Sequence, residues 1–152
     1  MRGRVGARRA AVPVAAMVFG VAGLIPFVWA VLALQTGRFV LPGLTPRFVA
    51  NGYGLMIFCY MAGCFWPFAA RLGGWFSHGL SVAPVLALIA ALILEPASLT
   101  LALMAGFAAL LPIDWYFQWR GAAPGWWMRL RLPLSAVVIA CLAAIYMTAP
   151  RP

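Results

Sequence analysis

Side chains able to do chemistry are few in this chain, and their spacing argues against a reaction. The one histidine, His78, stands beside Ser77, and a hydrolytic triad or a metal site would need at least one further convergent partner. His78 is therefore read as a polar residue near a membrane interface. Cys59 and Cys64 are spaced so that a helix turns them away from each other, and Cys141 lies in a different apolar run. Reduced, buried thiols are expected. No pair of histidines can hold a haem, and no glycine-rich loop precedes a basic phosphate ligand. The expectation is no cofactor, no metal and no enzymatic activity.

Asp114 is the one charged residue inside an apolar run. An acid in such a place is a functional candidate by default, because lipid tolerates a charge only with a partner or a task. Arg120, Arg129 and Arg131 follow it closely, and the simplest reading is an ion pair to Arg129 or Arg131 that fixes the next loop against the helices. The segment from Pro112 to Pro133 also carries Trp115, Trp119, Trp126 and Trp127. Indole rings and guanidinium groups there would form a belt at head-group depth.

Membrane spans are the elements that must position these residues. With 66% hydrophobic residues, two acids in 152 positions and a mean hydropathy of +1.00, too little polar surface remains to clothe a water-soluble domain. A hydrocarbon core about 30 Å thick takes about 20 apolar residues in a helix. Five runs meet that need: Ala10 to Leu34, Phe48 to Ala70, Phe76 to Leu94, Ala97 to Phe117, and a shorter one from Leu132 to Ala149. Unbroken runs lack the alternation of barrel strands, whereas helices satisfy the backbone internally. The expected fold is an all-α integral membrane bundle of five transmembrane helices over 10–149, with a basic cytoplasmic tail over 1–9 and a short outer tail over 150–152.

Arginine placement orients the bundle. Eight arginines fall on one side, at positions 2, 4, 8, 9, 71, 120, 129 and 131, and three on the other, at 38, 47 and 151. Positive charge is kept inside, so the amino terminus is expected in the cytoplasm and the carboxyl terminus outside. The bacterial inner membrane is the expected location, with the mitochondrial inner membrane as the alternative. The first run is too long for a cleaved leader and lacks a small-x-small site, so the whole chain is expected to be retained. A net charge of +9 set at the ends of apolar runs suits anionic lipid head groups and not nucleic acid.

Packing devices are written into the runs. Pro26, Pro67, Pro84 and Pro112 should kink their helices, whereas Pro13 and Pro133 fall near helix starts and should be well tolerated. Small residues recur at helical spacing as Ala16, Gly20 and Gly23, as Ala102, Gly106 and Ala109, and as Ala136, Ala140 and Ala144. Such stripes let helix backbones approach closely, within one bundle or against a partner's helix.

Three stretches together resemble a known family. Tyr53-Gly54 leads into Ile57-Phe58 and then Tyr60-Met61-Ala62-Gly63-Cys64-Phe65-Trp66. Ser81-Val82-Ala83-Pro84 follows with Leu86, then Asp114, and last Pro124-Gly125-Trp126-Trp127-Met128-Arg129-Leu130-Arg131-Leu132-Pro133-Leu134-Ser135. Over roughly residues 17 to 147 the chain resembles the small multi-span membrane family of unknown function that includes the mitochondrial transmembrane-protein-69-like proteins. Ala62 stands where the family's first glycine of a pair is usual, Pro67 where glycine follows the tryptophan, and Phe65 where histidine or arginine is frequent. The resemblance implies an architecture and no reaction. It marks Tyr53, Gly63, Trp66, Pro84, Asp114, Trp126, Trp127, Arg129 and Arg131 as structural or interaction candidates.

The expected role is a non-enzymatic accessory or assembly subunit of a larger inner-membrane complex, with a membrane-protein partner. The alternative is a binding or transport protein for a small hydrophobic molecule, quinone or lipid, in a cavity around Trp66 and Tyr60. Ion-coupled transport is disfavoured, because only Asp114 could carry a proton and no inverted repeat is visible.

Overall fold

The computed structural model describes residues 11–40, 42–94 and 99–148. Among these there are seven helices and no strand: α1 (Val14–Ala22), α2 (Ile25–Thr36), α3 (Pro46–Gly63), α4 (Phe65–Leu72), α5 (Trp75–Leu94), α6 (Leu99–Trp119) and α7 (Trp127–Met147). α1 with α2 and α3 with α4 each form one interrupted span, so five units are long and apolar enough to cross a membrane. The fold is the expected all-α bundle. The two tails, the first span's start at Ala10, the fourth's at Ala97 and the fifth's end at Ala149 lie outside the described residues.

Proline chemistry locates both interruptions. A proline ring collides with the carbonyl four residues earlier and offers that carbonyl no donor. Four residues before Pro26 is Ala22, the last residue of α1, and four before Pro67 is Gly63, the last of α3. Each gap closes with a tighter turn, the Leu24 amide donating to the Val21 carbonyl at 3.0 Å and the Cys64 amide to that of Met61 at 3.2 Å. Pro84 and Pro112 sit inside α5 and α6 without ending them.

The fifth span departs from expectation at its start. α7 begins at Trp127, not Leu132, so the Trp-Met-Arg-Leu-Arg stretch is helix and Pro133 lies inside it. Arg129 and Arg131 make the stretch look like a connection, yet Trp, Met, Leu and Arg all sit well in a helix. The charge of Arg131 is met within the bundle, as described below, so the helix continues through it.

The connections are short and specified. Gly37 ends α2 with φ 64°, in the left-handed region that suits glycine, and the Thr45 hydroxyl accepts the Phe48 amide at 3.3 Å to cap α3. Between α6 and α7 the Gln118 side chain accepts the Met128 amide at 2.8 Å, and the Phe117 carbonyl takes the amides of Ala122 and Ala123 at 2.9 and 3.1 Å.

Aromatic rings fill the core. Phe58 meets Phe107 edge to face at 5.8 Å, and Phe65 stacks on Phe117 at 5.5 Å. Ala30, Ala50 and Ile145 form a second buried group at the other end, where Arg47 donates to the Ile145 carbonyl at 2.9 Å. Gly20 of α1 approaches Leu134 of α7 near the Trp127 end, while α2 meets α7 near Ile145, so the first and fifth spans run in the same direction. None of the nine residues of α1 is buried. This helix forms an outer wall, and what it walls is a cavity.

Candidate functional site

Asp114 and Arg131 organise the end of the bundle that carries Trp126 and Trp127. Asp114 is fully buried on α6, and Arg131, on the second turn of α7, is 5% exposed. Arg131 Nε donates to Asp114 Oδ2 at 2.9 Å, and Trp127 Nε1 donates to the other carboxylate oxygen. Arg131 Nη1 lies 2.7 Å from the sulfur of Met61 on α3. Both oxygens of the acid are occupied, and the two helices are tied together through side chains four residues apart on one face of α7. Arg131 is thus the partner of Asp114. Arg129 projects from an exposed position of the same helix.

Two polar atoms at this place have no partner among the described residues. Arg131 Nη2 and Ser135 Oγ are both buried and unbonded. Such atoms cost of order 1–3 kcal/mol each when left unsatisfied, and native interiors seldom keep two together. Arg131 and Ser135 both line a cavity of 410 Å³. Its walls come from Ala16, Phe19, Gly20 and Gly23 on the α1 side, Ile57, Tyr60 and Met61 of α3, Phe107 of α6, and Trp126, Trp127, Leu130 and Leu134 at the start of α7. Phe19 and Tyr60 are 78% and 68% exposed, so the cavity reaches the surface of the bundle. Apolar walls enclosing a small number of convergent polar groups are the usual form of a small-molecule site.

The remaining candidates divide around this centre. Tyr53 donates its hydroxyl to the Gly23 carbonyl at 3.1 Å, pinning the break between α1 and α2 beside the cavity. Trp66 lies apart from it, exposed, its ring edge to face with that of His78 at a centroid distance of 5.4 Å. Pro84 is buried within α5, and Gly63, the last residue of α3, has nothing close to its α-carbon face. His78 Nδ1 is 2.8 Å from the Gly74 carbonyl. The three cysteines are free thiols but not buried as expected, Cys59 being exposed and Cys64 and Cys141 half-buried, and no group of three metal-ligating side chains occurs among the described residues. Sequence reasoning missed Ser135, Met61 and Leu134. Ser135 stands four residues after Arg131, a signal available only once α7 is known to start early enough to hold both.

A family model described as a protein of unknown function, DUF3429, matches residues 12–147. The chain belongs to this family. The match takes in every residue that lines the cavity, as well as Asp114, so the site is part of what the DUF3429 family model covers. No curated protein and no solved structure matches the chain.

Proposed function

We propose that the protein is a non-enzymatic, multi-pass membrane protein that holds a small amphiphilic molecule in the cavity between α1, α3 and α7. The observation that carries this reading is the pair of unsatisfied polar atoms, Arg131 Nη2 and Ser135 Oγ, on residues lining an otherwise apolar cavity. A bound molecule with an acceptor atom would satisfy both and explain why they survive in the interior. Between quinone and lipid binding, on one hand, and an accessory subunit, on the other, the cavity favours the first. The second keeps one observation in its support: Ala136 and Ala140 lie on the exposed face of α7, where a partner's helix could approach closely.

Filling the cavity tests the reading. Ala16 lines it from α1, a helix with no buried residue, so Ala16→Phe adds bulk there without opening the core. The protein purified in mild detergent is expected to retain an amphiphile near one per chain by native mass spectrometry, and Ala16→Phe to lose most of it. Equal retention by both would overturn the cavity reading.

The narrower kinship with the mitochondrial transmembrane-protein-69-like proteins rests on the Tyr53-Gly54 and Trp126-Trp127 stretches. We place the chain in the bacterial inner membrane with its amino terminus in the cytoplasm, on the strength of the arginine distribution. Exposed Arg71, Arg120 and Arg129 would then meet anionic head groups of the inner leaflet. Reporter fusions at the two ends are expected to give opposite compartments; the same compartment for both would contradict five spans.

A further inference from the structure

The polar floor of the cavity is particular about charge. Arg131 brings a positive charge, but Asp114, held through Nε, already balances it. Asp114 and Arg131 together are neutral, and among the described residues no side chain lining the cavity other than Arg131 is charged at neutral pH. A phosphate or carboxylate entering beside them would be a third charge without a counter-charge, in surroundings of low dielectric where an unbalanced ion is costly. Nη2 can only donate a hydrogen bond, and the Ser135 hydroxyl can donate as well. What they lack is an acceptor, and a carbonyl oxygen supplies one without adding charge.

Position and size agree with this chemistry. With Trp127 taken at head-group depth, a rise of about 12 Å along α7 to Ser135 would put the floor below the head groups but short of the bilayer centre. A head buried there could leave its tail among the exposed rings of Phe19 and Tyr60 at the rim. A volume of 410 Å³ stands near the lower end of ordinary ligand sites, roughly 300–1,000 Å³. It suits a compact head with the first part of a chain, the remainder lying in lipid.

Resting on the cavity reading above, we propose that the site selects a neutral amphiphile whose head presents a carbonyl oxygen to Arg131 Nη2 and Ser135 Oγ, and discriminates against anionic heads. The carbonyl could belong to a quinone ring or to the ester of a neutral acyl lipid.

Four probes with one and the same saturated chain test it: an alkyl benzoquinone, a monoacylglycerol, a fatty-acid anion and an alkyl phosphate. Each is titrated into lipid-stripped, detergent-purified full-length protein and read by native mass spectrometry, alongside Ala16→Phe and Ser135→Ala. A neutral probe is expected to bind about tenfold more tightly than either anion, and whichever of the two does so identifies the source. Ser135→Ala should weaken that probe about 3- to 10-fold, the effect of one hydrogen bond, without lowering the thermal midpoint of the stripped protein, because the hydroxyl has no partner among the described residues and its removal relieves an unsatisfied buried group. Anions that bind more tightly, and are lost in Ala16→Phe, overturn the neutral head and leave the cavity reading intact. So does a neutral probe that Ala16→Phe excludes and Ser135→Ala does not weaken. If no probe distinguishes the wild type from Ala16→Phe, the cavity reading itself fails.

Discussion

Asp114→Arg is expected to remove most of the folded protein from the membrane fraction, and Arg131→Asp in the same chain to restore part of it. Asp114 is fully buried, with both oxygens taken by Arg131 and Trp127. Breaking a buried pair by altering one partner costs of order 3–5 kcal/mol, because the other charge is left uncompensated. Against a domain stability of roughly 5–15 kcal/mol, that is a large share. Reversal of both residues returns opposite charges to the same two positions, so the Coulombic attraction is regained. Recovery is partial because Trp127 Nε1, a donor, would then face a guanidinium in place of a carboxylate. Arg129→Asp should not rescue, since the carboxylate is bonded to Arg131. Size-exclusion of fluorescently tagged protein in detergent reads all four chains. Undiminished yield from Asp114→Arg alone would show that the acid is not structural.

The parts of this fold legible in the sequence are those set by local rules. Five spans follow from run length and hydropathy, because the bilayer imposes the same length on each helix. The interruptions after Ala22 and Gly63 were foreshadowed by Pro26 and Pro67, and even their offset follows from the carbonyl each proline displaces. Pro84 and Pro112 carried the same signal without ending a helix, so neighbouring packing decides whether a proline breaks a span or is absorbed. Asp114 was visible as a lone acid, and its partner was narrowed to Arg129 or Arg131. The start of α7 was not legible: a window that seeks apolar residues stops at two arginines, and only the position of Asp114 on another helix reveals that one of them is neutralised. The cavity was the least legible feature. It exists because α1 lies beside α7 through the Gly20 approach to Leu134, a contact between opposite ends of the chain that no local pattern encodes. Trp66 and Tyr60 are expected to line one cavity, yet Trp66 lies outside the cavity that Tyr60 lines.

Small-residue stripes look alike in sequence, but the packing divides them into two kinds, and substitution should separate them. A side-chain carbon placed on Gly106 would stand 2.8 Å from the ring of Phe58, whereas Ala140 points away from the bundle. Phe58 is only 1% exposed and is packed edge to face on Phe107, so its ring has little room to yield. Gly106→Leu is therefore expected to force α3 and α6 apart and cost the fold at least about 1–3 kcal/mol, the usual penalty for overfilling a packed core. Gly106→Ala should show a smaller fall of the same sign. Ala140→Leu should leave the thermal midpoint nearly unchanged, because lipid accepts a larger apolar side chain on an outward face as readily as a small one. Midpoints measured by thermal size-exclusion on the three variants check this order. The outward variant also bears on the accessory-subunit reading: if a partner helix docks along Ala136 and Ala140, Ala140→Leu should release it while Ala16→Phe does not. A complex that withstands Ala140→Leu and Ala136→Leu together would remove the observation on which that second reading rests.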